Sequence, residues 1–184
     1  ISQEPKKWRN LMQKWKVDYT NSLDRVSLFP QYWTSQSCKT EVENLKNLHP
    51  ARWVKRLEMD EHRGVNGNQC SYSCALNRTL GKEYEAHIRS LAQEIEGCVL
   101  AEVVINRYDP GDYIPTHKDR SIHRFNQIIH LEDGEEGEGL FVGDNFYPFQ
   151  EGQSVLFKGT SLPHSVPPVK NTRFTIIYLY ERDY

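Results

Sequence analysis

Two histidines and one aspartate are the residues of this 184-residue sequence whose types and spacing most suggest chemistry. His117 and Asp119 follow a turn, and side chains two positions apart on an extended segment point to the same side. His164 lies 47 residues after His117, just before the last strand-like segment. Two imidazoles and one carboxylate leave coordination positions open and suit a non-haem ferrous iron. The pattern predicts a metal site at these three residues, although a histidine two positions before an aspartate also occurs in ordinary loops.

A second set of polar residues is suited to bind a carboxylic acid beside that metal. Arg173 follows the second histidine by nine residues, and Thr175 lies two further on, on the same side of a predicted strand. A forked guanidinium with a neighbouring hydroxyl fits the distal carboxylate of 2-oxoglutarate, whereas the alternative for Arg173 is an ordinary surface ion pair. Asn106 and Tyr108 share one face of the strand that leads toward the metal site, so we expect them to reach the same co-substrate.

The periodicity of apolar residues predicts helices in the first half of the chain and strands in the second. Helix-like spacing covers residues 6–17, 40–57 and 80–95, with Pro30, Pro50 and Gly97 as breakers. Short β-branched and aromatic segments follow at residues 99–108, 126–131, 139–142, 154–158 and 173–180. The predicted fold is mainly β with N-terminal helices (α+β), a jelly roll or double-stranded β-helix with a supporting helical layer. We expect one domain over residues 1–184, with 1–97 as mainly helical, substrate-facing support and 98–184 as the β-helix core.

Composition limits the classes of protein that fit. A chain of 184 residues with 38% hydrophobic residues is long enough for one core, and no apolar run reaches the roughly 18 to 20 residues that cross a bilayer. Residues 1–7 contain no apolar segment typical of a signal peptide, and the four cysteines are interpreted as reduced thiols. We therefore expect an intracellular monomer without membrane contact.

The formal net charge is −2, but the charged residues are unevenly distributed along the chain. Residues 1–60 carry 11 Lys or Arg against 7 Asp or Glu and all four tryptophans, whereas the rest carries 12 against 18. Interleaved basic and aromatic residues are able to stack on bases and neutralise phosphates, although large aromatics also simply anchor helices on a core. A uniformly basic nucleic-acid binder is disfavoured, but DNA or RNA stays a candidate partner if this basic third lies beside the metal site.

The combined spacing resembles that of the Fe(II)- and 2-oxoglutarate-dependent dioxygenases. The matching residues are Asn106-x-Tyr108-x-Pro110-Gly111-x5-His117-x-Asp119 and His164-x8-Arg173-x-Thr175. The resemblance covers about residues 80–184. It implies Fe(II) held by the two histidines and the aspartate, 2-oxoglutarate bound at Arg173, and dioxygen as oxidant. It also implies attack on a C–H bond, by hydroxylation or hydroxylation-driven demethylation.

Two subfamilies share these features and differ in substrate. The block from Asn106 to Asp119 is similar to AlkB-like oxygenases, which act on nucleobases, although Leu179 stands where the AlkB pattern has a second arginine. The segments around Glu138 and Gly152 are instead similar to prolyl hydroxylases, whose relatives act on protein side chains or free amino acids. We take a nucleobase in DNA or RNA as the lead substrate and a protein side chain or free amino acid as the alternative. A non-catalytic binding module with the β-helix fold is the third hypothesis.

Residues outside the matched motifs are candidates for substrate contact. They lie before the third predicted helix and after the metal-binding turn: Arg63, Tyr72, His123, Arg124 and Asn126. Ordinary loop or turn positions are the alternative for these residues. His130 lies on the strand that follows and is interpreted as a buried structural histidine, with a place in the cavity as the alternative.

Overall fold

The computed structural model describes residues 26–59, 69–119 and 125–183, so the predicted helix at 6–17 lies outside the described residues. The helices are α1 (Ser35–Lys46), α2 (Asn77–Leu80) and α3 (Lys82–Ser90), with one 3₁₀ turn at Pro50–Arg52. The strands are β1 (Ser27–Phe29), β2 (Val54–Glu58), β3 (Gln69–Leu76), β4 (Cys98–Tyr108), β5 (Ile114–His117), β6 (Phe125–His130), β7 (Gly139–Val142), β8 (Asn145–Pro148), β9 (Ser154–Phe157), β10 (His164–Val166) and β11 (Arg173–Arg182). No helix among the described residues is long and apolar enough to cross a membrane.

The strands form two antiparallel sheets with a shared core between them. The large sheet has the order β1-β9-β6-β11-β4-β3-β2, and the small sheet has the order β5-β10-β7-β8. From β4 onward the chain passes repeatedly from one sheet to the other, which is the winding of a jelly roll. The predicted fold, mainly β with supporting helices, is confirmed.

Two hydrophobic cores lie on opposite faces of the large sheet. On the outer face, Ile176 and Tyr178 of β11 pack with Leu45 of α1 and Ile88 of α3. The Tyr178 hydroxyl also donates a hydrogen bond to Ile88 O at 2.7 Å, which ties α3 to the sheet. Alternate residues of a strand face opposite sides, so Ile177 packs instead in the core between the two sheets. The helices therefore support the outer face, and the inner face remains for the site.

The helix predicted at 40–57 begins earlier and is shorter in the structure. α1 begins after Thr34, whose Oγ1 accepts a hydrogen bond from the Ser37 N–H, and it ends four residues before Pro50. A proline disfavours helical backbone at the residue before it, and the chain passes through the 3₁₀ turn into β2. β2 is a strand because it pairs with β3, and that pairing overrides the helix-like spacing of its apolar residues.

The helix predicted at 80–95 is interrupted and ends earlier. Gly81 has a φ of 87°, a backbone conformation that favours glycine, and it separates α2 from α3. α3 then ends at Ser90. The first 97 residues, where mainly helical support was predicted, also contribute β1, β2 and β3 to the large sheet. The five predicted strands correspond to β4, β6, β7, β9 and β11, with ends that differ by at most two residues.

Candidate metal centre

Two strands of the small sheet bring the three predicted metal ligands together. His117 is the last residue of β5 and His164 the first of β10, and the two are direct partners across the antiparallel pair. Asp119 follows β5 by two residues, and its Oδ1 lies 3.6 Å from the Nε2 of each histidine. One ligand atom of each residue lies within 4.8 Å of the other two, so a single ion fits among them. We call these three residues the metal cluster.

Both imidazoles are held in the tautomer that a metal ligand requires. The Nδ1 of His117 lies 2.9 Å from Pro115 O, and the Nδ1 of His164 lies 3.0 Å from Leu162 O. A carbonyl oxygen only accepts hydrogen bonds, so each Nδ1 carries a proton and, in the neutral ring, each Nε2 presents a lone pair. Both residues are buried, and their ring centroids are 4.2 Å apart. The carbonyls therefore fix both rings before any metal binds.

The carboxylate of Asp119 is positioned by Asn126 and Gly159. The Asp119 N–H donates to Gly159 O at 2.9 Å, and Asn126 Nδ2 donates to Asp119 Oδ2 at 2.6 Å. These contacts hold Oδ2 and leave Oδ1 beside the two histidines. A Cβ at position 159 would overlap with Asp119 Oδ2 and lie 2.5 Å from Asn126 Nδ2. Glycine at this position is therefore a condition for the observed orientation of the carboxylate.

The surroundings of Asp119 favour its charged form. Burial alone raises the pKa of this carboxyl, but interactions with His117 and His164 and the hydrogen bond from Asn126 lower it more. The net pKa lies well below the ordinary value, so the group is an anion at neutral pH. An anionic carboxylate with two neutral imidazoles is the donor set of a non-haem Fe(II) site.

A cavity of about 440 Å³ adjoins the metal cluster. Much of its wall is apolar and comes from β3, β4, β11 and the residue after β2; this part includes Met59, Leu76, Val104, Ile177 and Leu179. Arg56 and Glu102 are charged residues on the same wall. An apolar pocket with a few convergent polar groups is typical of a site for a small ligand or a single side chain.

The predicted co-substrate residues lie on β4 and β11, on the inner face of the large sheet. Asn106 and Tyr108 line the cavity, and Asn106 Nδ2 donates to the Tyr108 hydroxyl oxygen at 3.1 Å. Burial raises the pKa of Tyr108, so the hydroxyl keeps its proton and is able to donate it. Thr175 lies opposite Asn106 and Arg173 opposite Tyr108, but neither is among the residues that line the cavity. Their contact with a co-substrate stays a prediction.

Arg173 forms a buried ion pair and not the surface ion pair that was its alternative. Its guanidinium Nη2 lies 2.8 Å from Glu138 Oε2, and the two side chains are 5% and 1% exposed. The guanidinium carbon lies 4.4 Å from the ring centre of Phe149. His130 meets the same ring edge-on, with centroids 4.5 Å apart. We call these four residues the arginine cluster.

Two of the five predicted substrate-contact residues line the cavity. Tyr72 does so with its ring centre 6.3 Å from that of Tyr108. Asn126 also lines the cavity, but its amide nitrogen donates a hydrogen bond to Asp119, so in this structure it orients that carboxylate. The other three lie outside the described residues: Arg63, His123 and Arg124.

Sequence reasoning missed the parts of the site that depend on contacts between distant segments. Gly159 lies in a loop after β9, and nothing local marks it as a neighbour of Asp119. Glu138 lies in the segment that resembles prolyl hydroxylases, and that resemblance names no partner for it, yet it pairs with Arg173 in the interior. Five acidic residues lie between positions 132 and 138, but nothing in the sequence indicates which cation they face.

Comparisons with known proteins give a likeness of fold. No protein-family model matches the sequence, and no curated protein sequence matches it significantly. A prolyl hydroxylase from Trichoplax adhaerens, in complex with a hypoxia inducible factor peptide fragment, has a TM-score of 0.68 at 16% identity, over 99% of this chain and 94% of that chain. A prolyl-4-hydroxylase from Pseudomonas putida has a TM-score of 0.64 at 14% identity, over 96% of this chain and 100% of that chain. The α-ketoglutarate-dependent epimerase SnoN from nogalamycin biosynthesis has a TM-score of 0.65 at 12% identity, over 97% and 82%.

Proposed function

We propose that this protein is an Fe(II)- and 2-oxoglutarate-dependent dioxygenase that hydroxylates a C–H bond. The observation that carries the proposal is the metal cluster, in which two Nε2 lone pairs and one anionic oxygen lie within 4.8 Å of one another. Such a set fits one divalent ion and leaves coordination positions for further ligands. The likeness of fold to prolyl hydroxylases and to an α-ketoglutarate-dependent epimerase supports the same reaction class.

The polar residues of β4 and β11 suit a dicarboxylic keto acid. The Tyr108 hydroxyl accepts from Asn106 and keeps its own proton to donate. The Nε of Arg173 is a buried donor with no hydrogen-bond partner among the residues that the structure describes. Buried donors rarely stay unpaired, and the carboxylate oxygens of 2-oxoglutarate are suitable acceptors. We therefore assign co-substrate binding to Arg173, Thr175, Tyr108 and Asn106.

In the proposed reaction the chain positions its ligands and excludes water. Bound Fe(II), 2-oxoglutarate and dioxygen supply the oxidation, in which the keto acid becomes succinate and carbon dioxide and one oxygen atom enters the substrate. Pro115 O and Leu162 O hold the proton of each imidazole on Nδ1 and orient the ring, while Asn126 keeps the Asp119 carboxylate turned toward them. The apolar wall beside the metal cluster keeps water away from the carbon that is attacked.

For the substrate, the cavity wall favours an aliphatic group of a protein side chain or a small molecule. Among the described residues that line it, Arg56 is the one cation, against the carboxylates of Glu102 and Asp119. A nucleic-acid groove needs an excess of Lys and Arg to neutralise phosphates. Lys39 and Lys46 belong to α1, which packs on the opposite face of the large sheet. We therefore rank a protein side chain or free small molecule above the nucleobase that the sequence motifs favoured.

A nucleobase is the second candidate because of Tyr72. An aromatic ring on the cavity wall is able to stack on a base that has been flipped out of a strand. The basic residues Arg63 and Arg124 would add charge toward such a partner, and that role stays a prediction because both lie outside the described residues.

Succinate formation tests the reaction class. With Fe(II), 2-oxoglutarate, dioxygen and an accepted substrate, the protein is expected to form succinate, and Asp119→Ala is expected to abolish it. Asp144→Ala is the matched control, because Asp144 is an exposed carboxylate between β7 and β8. Full succinate formation by Asp119→Ala would contradict the assigned metal site. Metal binding without turnover on any substrate class would instead support a non-catalytic binding module.

A parallel screen of substrates tests whether a protein side chain or small molecule ranks above a nucleobase. Peptide libraries, free amino acids, and methylated or unmodified single-stranded oligonucleotides are incubated with the complete system, and each pool is analysed by mass spectrometry. We expect the mass of one added oxygen atom in the peptide or amino-acid pools. Oxygen addition or methyl loss confined to the oligonucleotides would reverse the ranking and favour the nucleobase.

A further inference from the structure

The arginine cluster already contains a counter-ion for Arg173. Glu138 Oε2 lies 2.8 Å from the guanidinium, with both side chains buried. Glu132 and Glu135 act on Arg173 in the same direction, since both raise its pKa against the lowering caused by burial. The positive charge that would hold an incoming carboxylate is therefore compensated before the ligand arrives.

His130 is the other ionisable group of this cluster. It is 2% exposed, and its Nδ1 lies 2.6 Å from Gln153 Oε1. Because that oxygen only accepts, Nδ1 carries the ring proton. Nε2 is an acceptor with no hydrogen-bond partner in residues 26–59, 69–119 and 125–183. Burial lowers the pKa of His130 to about 4, the nearby charge of Arg173 acts in the same direction, and the bond to Gln153 opposes it. At neutral pH the free site therefore contains a neutral imidazole.

A bound carboxylate would change the net charge of the arginine cluster. The buried charges of Arg173 and Glu138 sum to zero, and neutral His130 adds nothing, whereas Glu132 and Glu135 are half-buried and exposed, so that solvent screens them. A carboxylate placed beside them would leave one uncompensated negative charge in the protein interior, which is strongly unfavourable. One proton on the only unpaired ring nitrogen of the cluster, Nε2 of His130, would restore neutrality and add a charge-assisted hydrogen-bond donor.

We propose that His130 takes up a proton from solvent when the distal carboxylate of 2-oxoglutarate binds at Arg173, so that Nε2 becomes a second donor to that carboxylate. The inference rests on the proposed co-substrate site and adds a positioning and pH-dependent residue to it. Charged groups that act on the pair come from β11 and from residues 132–138: Arg173, Glu132, Glu135 and Glu138. The neutral neighbours of the ring are Gln153 and Phe149.

The sign of the pH dependence follows from the direction of the pKa change. Ligand binding raises the pKa of His130 above its free value of about 4. Between the free and the bound pKa the affinity for 2-oxoglutarate falls by up to about tenfold per pH unit as pH rises, with uptake of about one proton. Above the bound pKa the ligand binds without a proton and the affinity stops changing.

Calorimetric titration of the full chain tests the proposal without turnover. The protein, loaded with Mn(II) in place of Fe(II), is titrated with 2-oxoglutarate from pH 6 to 8 in pairs of buffers of different ionisation enthalpy, which reports the protons taken up. 2-Oxobutyrate is the matched ligand, because it has the same keto-acid end and lacks the distal carboxylate. At pH 6 we expect about one proton for 2-oxoglutarate beyond any taken up with 2-oxobutyrate, and this difference should fall as pH rises through the bound pKa of His130.

Three variants separate the roles of the groups. His130→Asn keeps a donor to Gln153 and removes Nε2; we expect about 10- to 100-fold weaker binding and no extra proton. Glu138→Gln removes the competing charge, so we expect tighter binding, also without an extra proton. His87→Asn is the control, since His87 pairs with Glu41 beneath α1 on the opposite face of the sheet and should leave the proton count unchanged.

The outcomes distinguish this inference from the proposed function. An extra proton lost in His130→Asn and Glu138→Gln but kept in His87→Asn supports it. An extra proton that persists in His130→Asn, or equal proton uptake for the two keto acids, overturns it while the co-substrate site stands. Failure of both keto acids to bind the metal-loaded protein contradicts the proposed function itself.

Discussion

The metal cluster and the arginine cluster differ in how completely their polar atoms are paired. In the metal cluster both Nδ1 atoms and the outer carboxylate oxygen have close partners, and the three ligand atoms remain for an ion. In the arginine cluster Glu138 Oε2 lies 2.8 Å from the guanidinium, while Arg173 Nε and His130 Nε2 have no hydrogen-bond partner within the described part of the chain. The first cluster is arranged in advance for its ligand, whereas the second must change its charge balance when a ligand binds.

This difference has a physical origin in the surroundings of each cluster. The metal ligands are oriented by backbone carbonyls and by Asn126, and such fixed outer contacts raise the affinity of a metal site. The arginine cluster holds two opposite charges in the interior, where desolvation offsets much of their attraction. Substitutions in the two clusters should therefore affect different measurements.

Removing a metal ligand should have the largest effect on activity. His164→Ala takes away one of three ligand atoms, and we expect at least about a 100-fold loss of Mn(II) affinity, because changes in outer partners alone already cost 10- to 100-fold. Succinate formation should fall to background. Equilibrium dialysis measures the affinity, with His87→Ala as the control; unchanged Mn(II) affinity in His164→Ala would exclude it as a ligand.

Breaking the buried ion pair should have the largest effect on stability. Arg173→Gln leaves Glu138 buried without its partner, and we expect a loss of about 3 to 5 kcal/mol in the free energy of unfolding. The double variant Arg173→Gln/Glu138→Gln should recover most of this stability but not 2-oxoglutarate binding. Urea unfolding and calorimetry measure the two quantities. If the double variant binds 2-oxoglutarate like the intact protein, Arg173 does not hold the co-substrate.

Substitution of Asn126 should weaken metal binding more than substrate binding. Asn126→Ala removes the hydrogen bond to Asp119 Oδ2, and we expect about a 10- to 100-fold lower Mn(II) affinity. The KM of the accepted substrate, measured at saturating Fe(II), should stay within about twofold of the intact protein, since Asn126 acts through Asp119. A large rise in KM at unchanged metal affinity would instead show direct contact with substrate.

Substitution of Asp112 should have the smallest effect, a loss of stability that depends on pH. It accepts hydrogen bonds from Ser71, Lys55 and the Asp109 N–H in the turn before β5. Burial raises the pKa of Asp112, but these partners lower it more, so the net pKa is below its ordinary value of 3.8. Its stabilisation is therefore present above about pH 4 and lost as pH falls further. We expect Asp112→Asn to cost about 1 kcal/mol at pH 7, and the difference between the melting curves should shrink below pH 4.

The sequence was sufficient for those parts of the fold and site that depend on local periodicity. The spacing of His117 and Asp119, and the alternation that puts Arg173 and Thr175 on one face, follow from the period of a strand. The five predicted strands are all present. The N-terminal segment was predicted less well, because the strand β2 is stabilised by pairing with β3 and not by its own pattern.

The missed parts of the site depend on contacts that no local pattern contains. β5 and β10 have four and three residues, too few for a periodic signal, yet their pairing brings the two histidines together. Gly159 and Glu138 matter because the fold carries them to Asp119 and Arg173, 40 and 35 positions away in the chain. Such pairs become visible only in the folded molecule.

A crystal structure grown with Mn(II) and 2-oxoglutarate, with anomalous diffraction recorded at the manganese edge, tests the central claim most directly. We expect one anomalous peak within coordination distance of His117 Nε2, an Asp119 carboxylate oxygen and His164 Nε2, with the keto acid bound to the same ion and its distal carboxylate on Arg173. A peak elsewhere, or none among these three residues at saturating Mn(II), would contradict it.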